Sequence, residues 1–406
     1  MSNKRIRTTG TGFITDKGLP FIARGINMVC KDKFLDYIGE YTPGDFRFLK
    51  EKGFNLIRLG IFWDGAEPEP GVYDDEYLSR VERLADMAAA EDIPVFLDMH
   101  QDLYGVIFED GAPAWATLCD GCEHIRTGLW SESYLISPAV QHAFDNFWRN
   151  APAPDGVGIR THYVNLWKHI AERFRDNPYV IGYDIMNEPF PGTPGAQVAQ
   201  ILGSLTAGAD TGSSDGISGS PASDGSASAE PAASPFDDPE TIAAVVGGIM
   251  PITAAFEENC LNPFCDDVAR AIRSVDPDTL IFFESNYFAN AGIPSSVRPA
   301  QDASGALIPG QVWAPHGYDI MVDTDAYDEG GTDRVAFIFG SLFETAKRLG
   351  LPTLIGEWGC YPNASPAQKA QARFLLDIFR ENGIGNVYYD FSHIKDGGIL
   401  DTLAQA

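Results

Sequence analysis

The chain has 406 residues, with 29 Lys and Arg against 57 Asp and Glu, a formal charge of −28 at pH 7. That balance argues against nucleic acid as a partner, because phosphate binding needs clustered cations, and against docking by charge on an anionic bilayer. Apolar residues make up 44% and aromatics 12%, enough for a large core.

The opening residues, MSNKRIRTTGTG, carry cations but not the apolar stretch of a secretory leader. The expected location is the cytoplasm as the sequence is written, or outside the cell if a leader has been removed. Short apolar runs then recur. FIARGIN over 21–27 predicts a strand, and so does FNLIRLG over 54–60. Residues 74–92 predict a helix. Tyr77, Val81, Leu84 and Ala88 follow its period, and Asp74 and Asp75 put anions at the positive end of its dipole. IPVFLDM over 93–99 is the third strand. A long insertion follows, from about Asp102 to Gly158, holding Trp115, Trp130, Trp148 and a C-x-x-C at Cys119 and Cys122.

VIGYDIM over 180–186 is the fourth strand. Residues 203–235 are almost all Gly, Ser, Ala, Asp, Thr and Pro. That composition cannot bury enough surface to fold, so a disordered surface insertion is expected. Residues 242–256, IAAVVGGIMPITAAF, carry no charge, are too short to span a bilayer and contain Pro251. They predict a buried helix, or else an apolar lip beside the active site that accepts a lipid tail. Cys260 and Cys265 follow, and with the C-x-x-C they do not make a recognisable zinc spacing, so free thiols or loop disulfides are expected. The remaining strands are 280–284, 312–316, 353–357 and 385–391.

At roughly 150 residues per domain the length suggests two or three domains. Eight apolar runs, several of them continuous rather than alternating, with helices between them point instead to one (β/α)₈ TIM barrel spanning 1–406, with long loops after strands three and four. A doubly wound sheet would be favoured by a Gly-rich phosphate loop after strand one, and none is present.

In such a barrel the active site forms where the strands end. The polar residues there are Lys31, Arg58, Asp98, His100, Asp102, Asn187, Glu188, Glu284, His316, Tyr318, Glu357 and Tyr389, with Trp358 beside Glu357. Glu188 and Glu357 end strands on opposite sides of the barrel mouth. A retaining glycosidase needs two carboxyl groups about 5–5.5 Å apart, one an acid/base and one a nucleophile. The acid must keep its proton, while the nucleophile must stay ionised, for which Arg58 is the candidate partner.

DIMNEP, APHGYD and LIGEWG resemble the signatures of clan A glycoside hydrolases, in particular family 5, and the resemblance runs over essentially the whole chain. It implies a (β/α)₈ barrel with Glu188 as acid/base and Glu357 as nucleophile. It also implies Asn187 on the sugar 2-hydroxyl, Tyr318 donating to the nucleophile, His316 lining the site and Arg58 supporting Glu357. LDMHQDLYG and EDGAPAWAT resemble the endoglycoceramidase and glycosylceramidase branch. That likeness implies a glycolipid substrate, with His100 and Asp102 on the glycone, Lys31 within reach of sugar or headgroup, and peripheral contact with lipid aggregates. Where the family commonly has a Trp on strand eight, this chain has Tyr389 nearby. Other readings are a steryl β-glucosidase, a β-glucosidase, an endoglucanase or mannanase, or a non-catalytic carbohydrate- or lipid-binding barrel. No metal or cofactor is implied, because hydrolysis of this kind needs only side chains and water.

Overall fold

The computed structural model describes residues 4–201, 239–322, Tyr327, 331–360, 364–396 and 398–404. The low-complexity segment 203–235 lies outside the described residues. Eleven strands are described. Three short ones open the chain, β1 (Ile6–Thr9), β2 (Gly12–Thr15) and β3 (Pro20–Phe21), paired antiparallel. The other eight are β4 (Arg24–Met28), β5 (Leu56–Phe62), β6 (Val95–His100), β7 (Val180–Asp184), β8 (Leu280–Phe283), β9 (Gln311–Trp313), β10 (Leu354–Gly359) and β11 (Gly385–Tyr389). They form one parallel sheet in the order β10-β11-β4-β5-β6-β7-β8-β9. Parallel bridges from Trp313 to Thr353 and from His316 to Glu357 join its two edges. The result is a closed (β/α)₈ barrel, as the sequence predicts.

Each predicted barrel strand overlaps an observed one, with ends that differ by up to three residues. The first begins later than expected, because Phe21 pairs with Phe13 in the small sheet and the barrel strand starts at Arg24. β1–β3 were not foreseen. Their faces are only partly buried, so their apolar pattern is weak.

Two apolar layers explain the continuous runs. Leu56, Phe96, Leu280, Phe282, Val312, Leu354 and Val387 fill the barrel interior together with Ile6. Their neighbours, such as Ile57, Leu97, Ile281 and Ile355, belong to the layer beneath the helices. Inside, the Phe96 and Phe282 rings stack at 4.5 Å. Ile6, with Phe13 and Phe21 packed against the same inner cluster, closes the N-terminal end of the barrel. The open mouth is therefore at the strands' C-terminal ends.

The helix predicted over 74–92 spans Asp75–Ala90, and Asp74 caps it by accepting from Tyr77 N at 2.8 Å. It buries Tyr77, Leu78, Val81, Leu84, Ala85 and Ala88. The uncharged run 242–256 lies in a helix, Pro239–Phe256, with Pro251 inside it. Val245, Ile249 and Phe256 are buried, and the Phe256 ring meets Trp148 at 5.0 Å, while Ala243, Ala244, Gly247 and Met250 face outward. This is the buried-helix reading. Among the described residues, none of this helix lines the cavity at the barrel mouth, so it is no lip to that site. Among the described residues, no helix is long and apolar enough to cross a membrane.

The insertion after β6 is folded. It contains the helices Glu132–Ile136 and Pro138–Trp148, with Trp148 Nε1 donating to Phe190 O at 2.8 Å and Trp115 Nε1 to Glu67 O at 3.1 Å. All six cysteines are free thiols, so the loop disulfides are not formed.

Candidate active site

The barrel mouth holds a cavity of about 460 Å³. Its floor is built on Arg58, near the start of β5 and 0% exposed. Nε donates to Asp184 at 2.9 Å. Nη1 donates to Glu357 at 3.0 Å and Asn27 at 3.2 Å. Nη2 donates to Asp98 at 2.9 Å and to Glu284 and Asn187 at 3.0 Å each. One guanidinium therefore organises six side chains from five strands or their ends. Burial alone would lower its pKa, but Asp98 and the other carboxylates outweigh burial and hold it well above the usual value.

Glu188 follows β7 with φ +46°, in the left-handed region that non-glycine residues seldom adopt. Its backbone N–H donates to Glu284 Oε2 at 2.9 Å, which fixes this turn. Oε1 accepts from Asn290 Nδ2 at 2.7 Å and lies 3.0 Å from His316 Nδ1. Burial raises the Glu188 pKa to about 7. His316 pulls it down, and the charges of Glu357 and Asp102 push it up. Burial would lower the His316 pKa, but Glu284 and Glu357 reverse that and hold the imidazole well above its usual value.

Glu357, on β10, is the second carboxylate. Oε2 faces Arg58 and Oε1 accepts from Tyr318 Oη at 2.7 Å. One oxygen of Glu188, one of Glu357 and a nitrogen of His316 all lie within 4.8 Å of one another. A second close group is His100, Asp102 and Asp110. Both groups have ligand-like chemistry, yet each carboxylate set already has a cation from the chain, Arg58 on Glu357 and Lys31 on Asp102.

Along one wall, His100 Nδ1 sits 2.8 Å from Asp98 Oδ2. Burial opposes a charged His100, but Asp98 outweighs it and raises its pKa to about 10. Burial likewise disfavours charge on Asp102, but Lys31 and His100 outweigh it and lower its pKa to about 2. The Lys31 ammonium also lies 5.5 Å from the Tyr389 ring and 5.9 Å from the Trp130 ring. All three side chains line the cavity. The opposite wall carries Phe288, Ala291, Ile320 and Val322.

The predicted residues Lys31, His100, Asp102, Asn187, Glu188, Tyr318, Glu357 and Tyr389 all line the cavity. His316 stands directly behind Glu188, and Arg58 and Asp98 lie beneath the floor, fully buried. Arg58 was expected both at the substrate rim and as the partner of Glu357, and Asp98 at the rim. The Arg58–Glu357 pair is present, but neither Arg58 nor Asp98 reaches the cavity. They instead hold the groups that line the cavity. Trp358 departs further. Successive side chains on a strand face opposite ways, so with Glu357 inward Trp358 points outward. It is 1% exposed, donates from Nε1 to Asn386 Oδ1 at 2.9 Å, and packs edge-on against Phe379 and Tyr388. Three groups were missed: Asn290, Asn27 and the buried Asp184. Asn290 lies in the 3-10 helix Tyr287–Ala291 that follows β8, and its place after that strand was its only signal in the sequence.

A closed barrel with two acids facing each other across its mouth, one with its pKa raised by burial and one held by a buried arginine, has the fold and site of a glycoside hydrolase. The chain belongs to glycosyl hydrolase family 5, matching the family's cellulase domain over residues 15–394. It is 31% identical over 195 residues to endoglycoceramidase I of Rhodococcus hoagii, covering 46% of this chain and 37% of that one. It is 28% identical over 192 residues to a glucosylceramidase of Aspergillus fumigatus, covering 39% and 25%. The matched part thus spans well under half the length of these curated relatives. Among solved structures, endo-glycoceramidase II from Rhodococcus sp. in its ganglioside GM3 complex superposes with a TM-score of 0.73 at 27% identity, covering 98% of this chain and 81% of that chain. The same protein as a lactosyl-enzyme intermediate gives 0.71 at 27% identity, covering 96% and 80%.

Proposed function

We propose that this chain is a retaining β-glycosidase that cleaves the bond between a glycan and a lipid aglycone by double displacement. The observation that carries the reading is the Glu188–Glu357 pair, with one oxygen of each within 4.8 Å. So close an approach of one oxygen from each acid supports the about 5–5.5 Å carboxyl separation of retaining pairs over the about 6.5–9.5 Å of inverting ones. In the first step Glu357 attacks the anomeric carbon while Glu188 gives its proton to the departing glycosidic oxygen. In the second, Glu188 takes a proton from water, which displaces the sugar from Glu357 with a second inversion. Lys31, His100, Asp102 and Asn187 hold the glycone through charge-assisted hydrogen bonds. Phe288, Ala291, Ile320 and Val322 offer the leaving lipid an apolar wall. The named activities of the endoglycoceramidase and glucosylceramidase relatives support the lipid aglycone.

The test is mass spectrometry of products from glucosylceramide, a ganglioside, a steryl glucoside and carboxymethyl-cellulose, with the anomeric form of the first product followed by NMR. Intact glycan released from a ceramide with β-configuration is expected. Cleavage of the polysaccharide alone, or an α-product, would overturn the reading. Glu357→Gln is expected to abolish turnover with the fold intact, and activity within about tenfold of wild type would sink the assignment.

A further inference from the structure

The segment after β9 carries Tyr318, whose hydroxyl meets Glu357, and next to it a carboxylate that the proposed reaction does not use. Asp319 lies on the cavity wall but is 2% exposed. Its Oδ1 accepts from Met321 N at 3.0 Å and Arg334 Nε at 2.8 Å. Its Oδ2 accepts from Arg334 Nη2 at 3.0 Å and Gln371 Nε2 at 2.8 Å. A carboxylate offers about four lone-pair sites, so all are taken and none is left for a sugar hydroxyl. Arg334 stands at the start of the helix Asp333–Leu349, with its side chain 9% exposed, and Gln371 lies on the helix Pro366–Asn382. The two-pronged arginine pair fixes direction as well as distance.

The other side of the segment is tied to the site. Gly317 N donates to Glu357 O at 3.1 Å, and Tyr318 N to Asn290 O at 3.2 Å. Asn290 in turn donates from its side chain to Glu188. Residues 317–319 are thus stretched between the outer helices and the backbone beside both reacting carboxylates.

We infer that Asp319 is a positioning residue: clamped by Arg334 and Gln371, it fixes the backbone from which Tyr318 hydrogen-bonds Glu357. A donor to a reacting group has to be held within about 0.5 Å of its working position to be effective. A tyrosine on an untethered loop does not meet that demand. The inference rests on Glu357 being a reacting carboxylate.

A double-mutant cycle tests it, with kcat and KM measured on an activated aryl β-glycoside. Asp319→Ala, Arg334→Gln and Tyr318→Phe are each expected to lower kcat by about tenfold with KM changed by less than about twofold. Added to Tyr318→Phe, either clamp variant is expected to lower kcat by less than about twofold more, because the donor is already gone. Arg334→Lys, which keeps one charged donor, is expected to recover part of the loss. Equal factors in both backgrounds would mark a general structural defect and overturn the inference, as would a kcat left unchanged by the single variants. Should Asp319→Ala not fold, the Arg334 variants carry the same cycle. An active Glu357→Gln enzyme sinks the functional reading instead, which separates the two failures.

Discussion

Arg58 brings one positive charge into a shell of four carboxylates, Asp98, Asp184, Glu284 and Glu357. Beside it, the carboxylates hold the His316 and His100 pKa values up, and burial pushes that of Asp184 up, which lessens the repulsion among the acids. Removing the cation leaves buried acids without a partner. Arg58→Met is therefore expected to cost about 3–5 kcal/mol, read from urea unfolding, and wild-type stability would refute the account. Glu188 sets the pH response. In the proposed mechanism it must hold a proton to release the leaving group, and burial raises its pKa to about 7, so activity on a glycolipid is expected to fall as pH rises through about 7. Glu188→Ala should slow that substrate far more than an activated aryl glycoside, which leaves without protonation. Equal losses would remove the acid role. Both acids, His316 and Tyr318 were legible as polar residues at or just past strand ends, whereas Arg58, read at a strand end, lies near the start of β5. Trp358 was misread because adjacency in sequence to Glu357 is opposition across the sheet.

At the scale of elements, the barrel strands were legible because both faces of each are buried and their runs are continuous. The helix Asp75–Ala90 was legible from its period and its cap. Asp74→Ala removes the acceptor for Tyr77 N and is expected to cost about 1 kcal/mol, measured as a lower midpoint of urea unfolding with the slope unchanged. An unchanged midpoint would mean that tertiary packing alone holds that helix end. β1–β3 show the limit of such patterns. Their burial is mixed, and their reason for being ordered is the open barrel end that Ile6 closes, a partner far away in sequence. The uncharged run 242–256 shows the converse, since apolar composition marked a buried face without saying which neighbour buries it.

For the whole molecule, closure of the barrel is the decisive event. It requires the interior to fill without overfilling, and Gly182 on β7 marks the tightest point. A Cβ there would lie 2.1 Å from the Phe282 ring and 3.2 Å from Phe96 Cβ. Gly182→Val should force apart the stacked Phe96–Phe282 pair, costing about 1–3 kcal/mol or more. Unfolding measurements that show no loss would mean the interior has slack.

The sequence by itself determined the number and order of the barrel strands, the capped helix and the pair of acids with their arginine. Those properties depend on periodic burial and on position at a strand end, which are local. Only the tertiary structure decided that Arg58 and Asp98 lie beneath the site, that Trp358 faces away from it, and that Asn290 and Asp319 brace it. Arg58 meets Glu357 across 299 residues of chain and Asn290 meets Glu188 across 102. Such distances, and the burial that raises the Glu188 pKa, come into being when the eighth strand closes on the first.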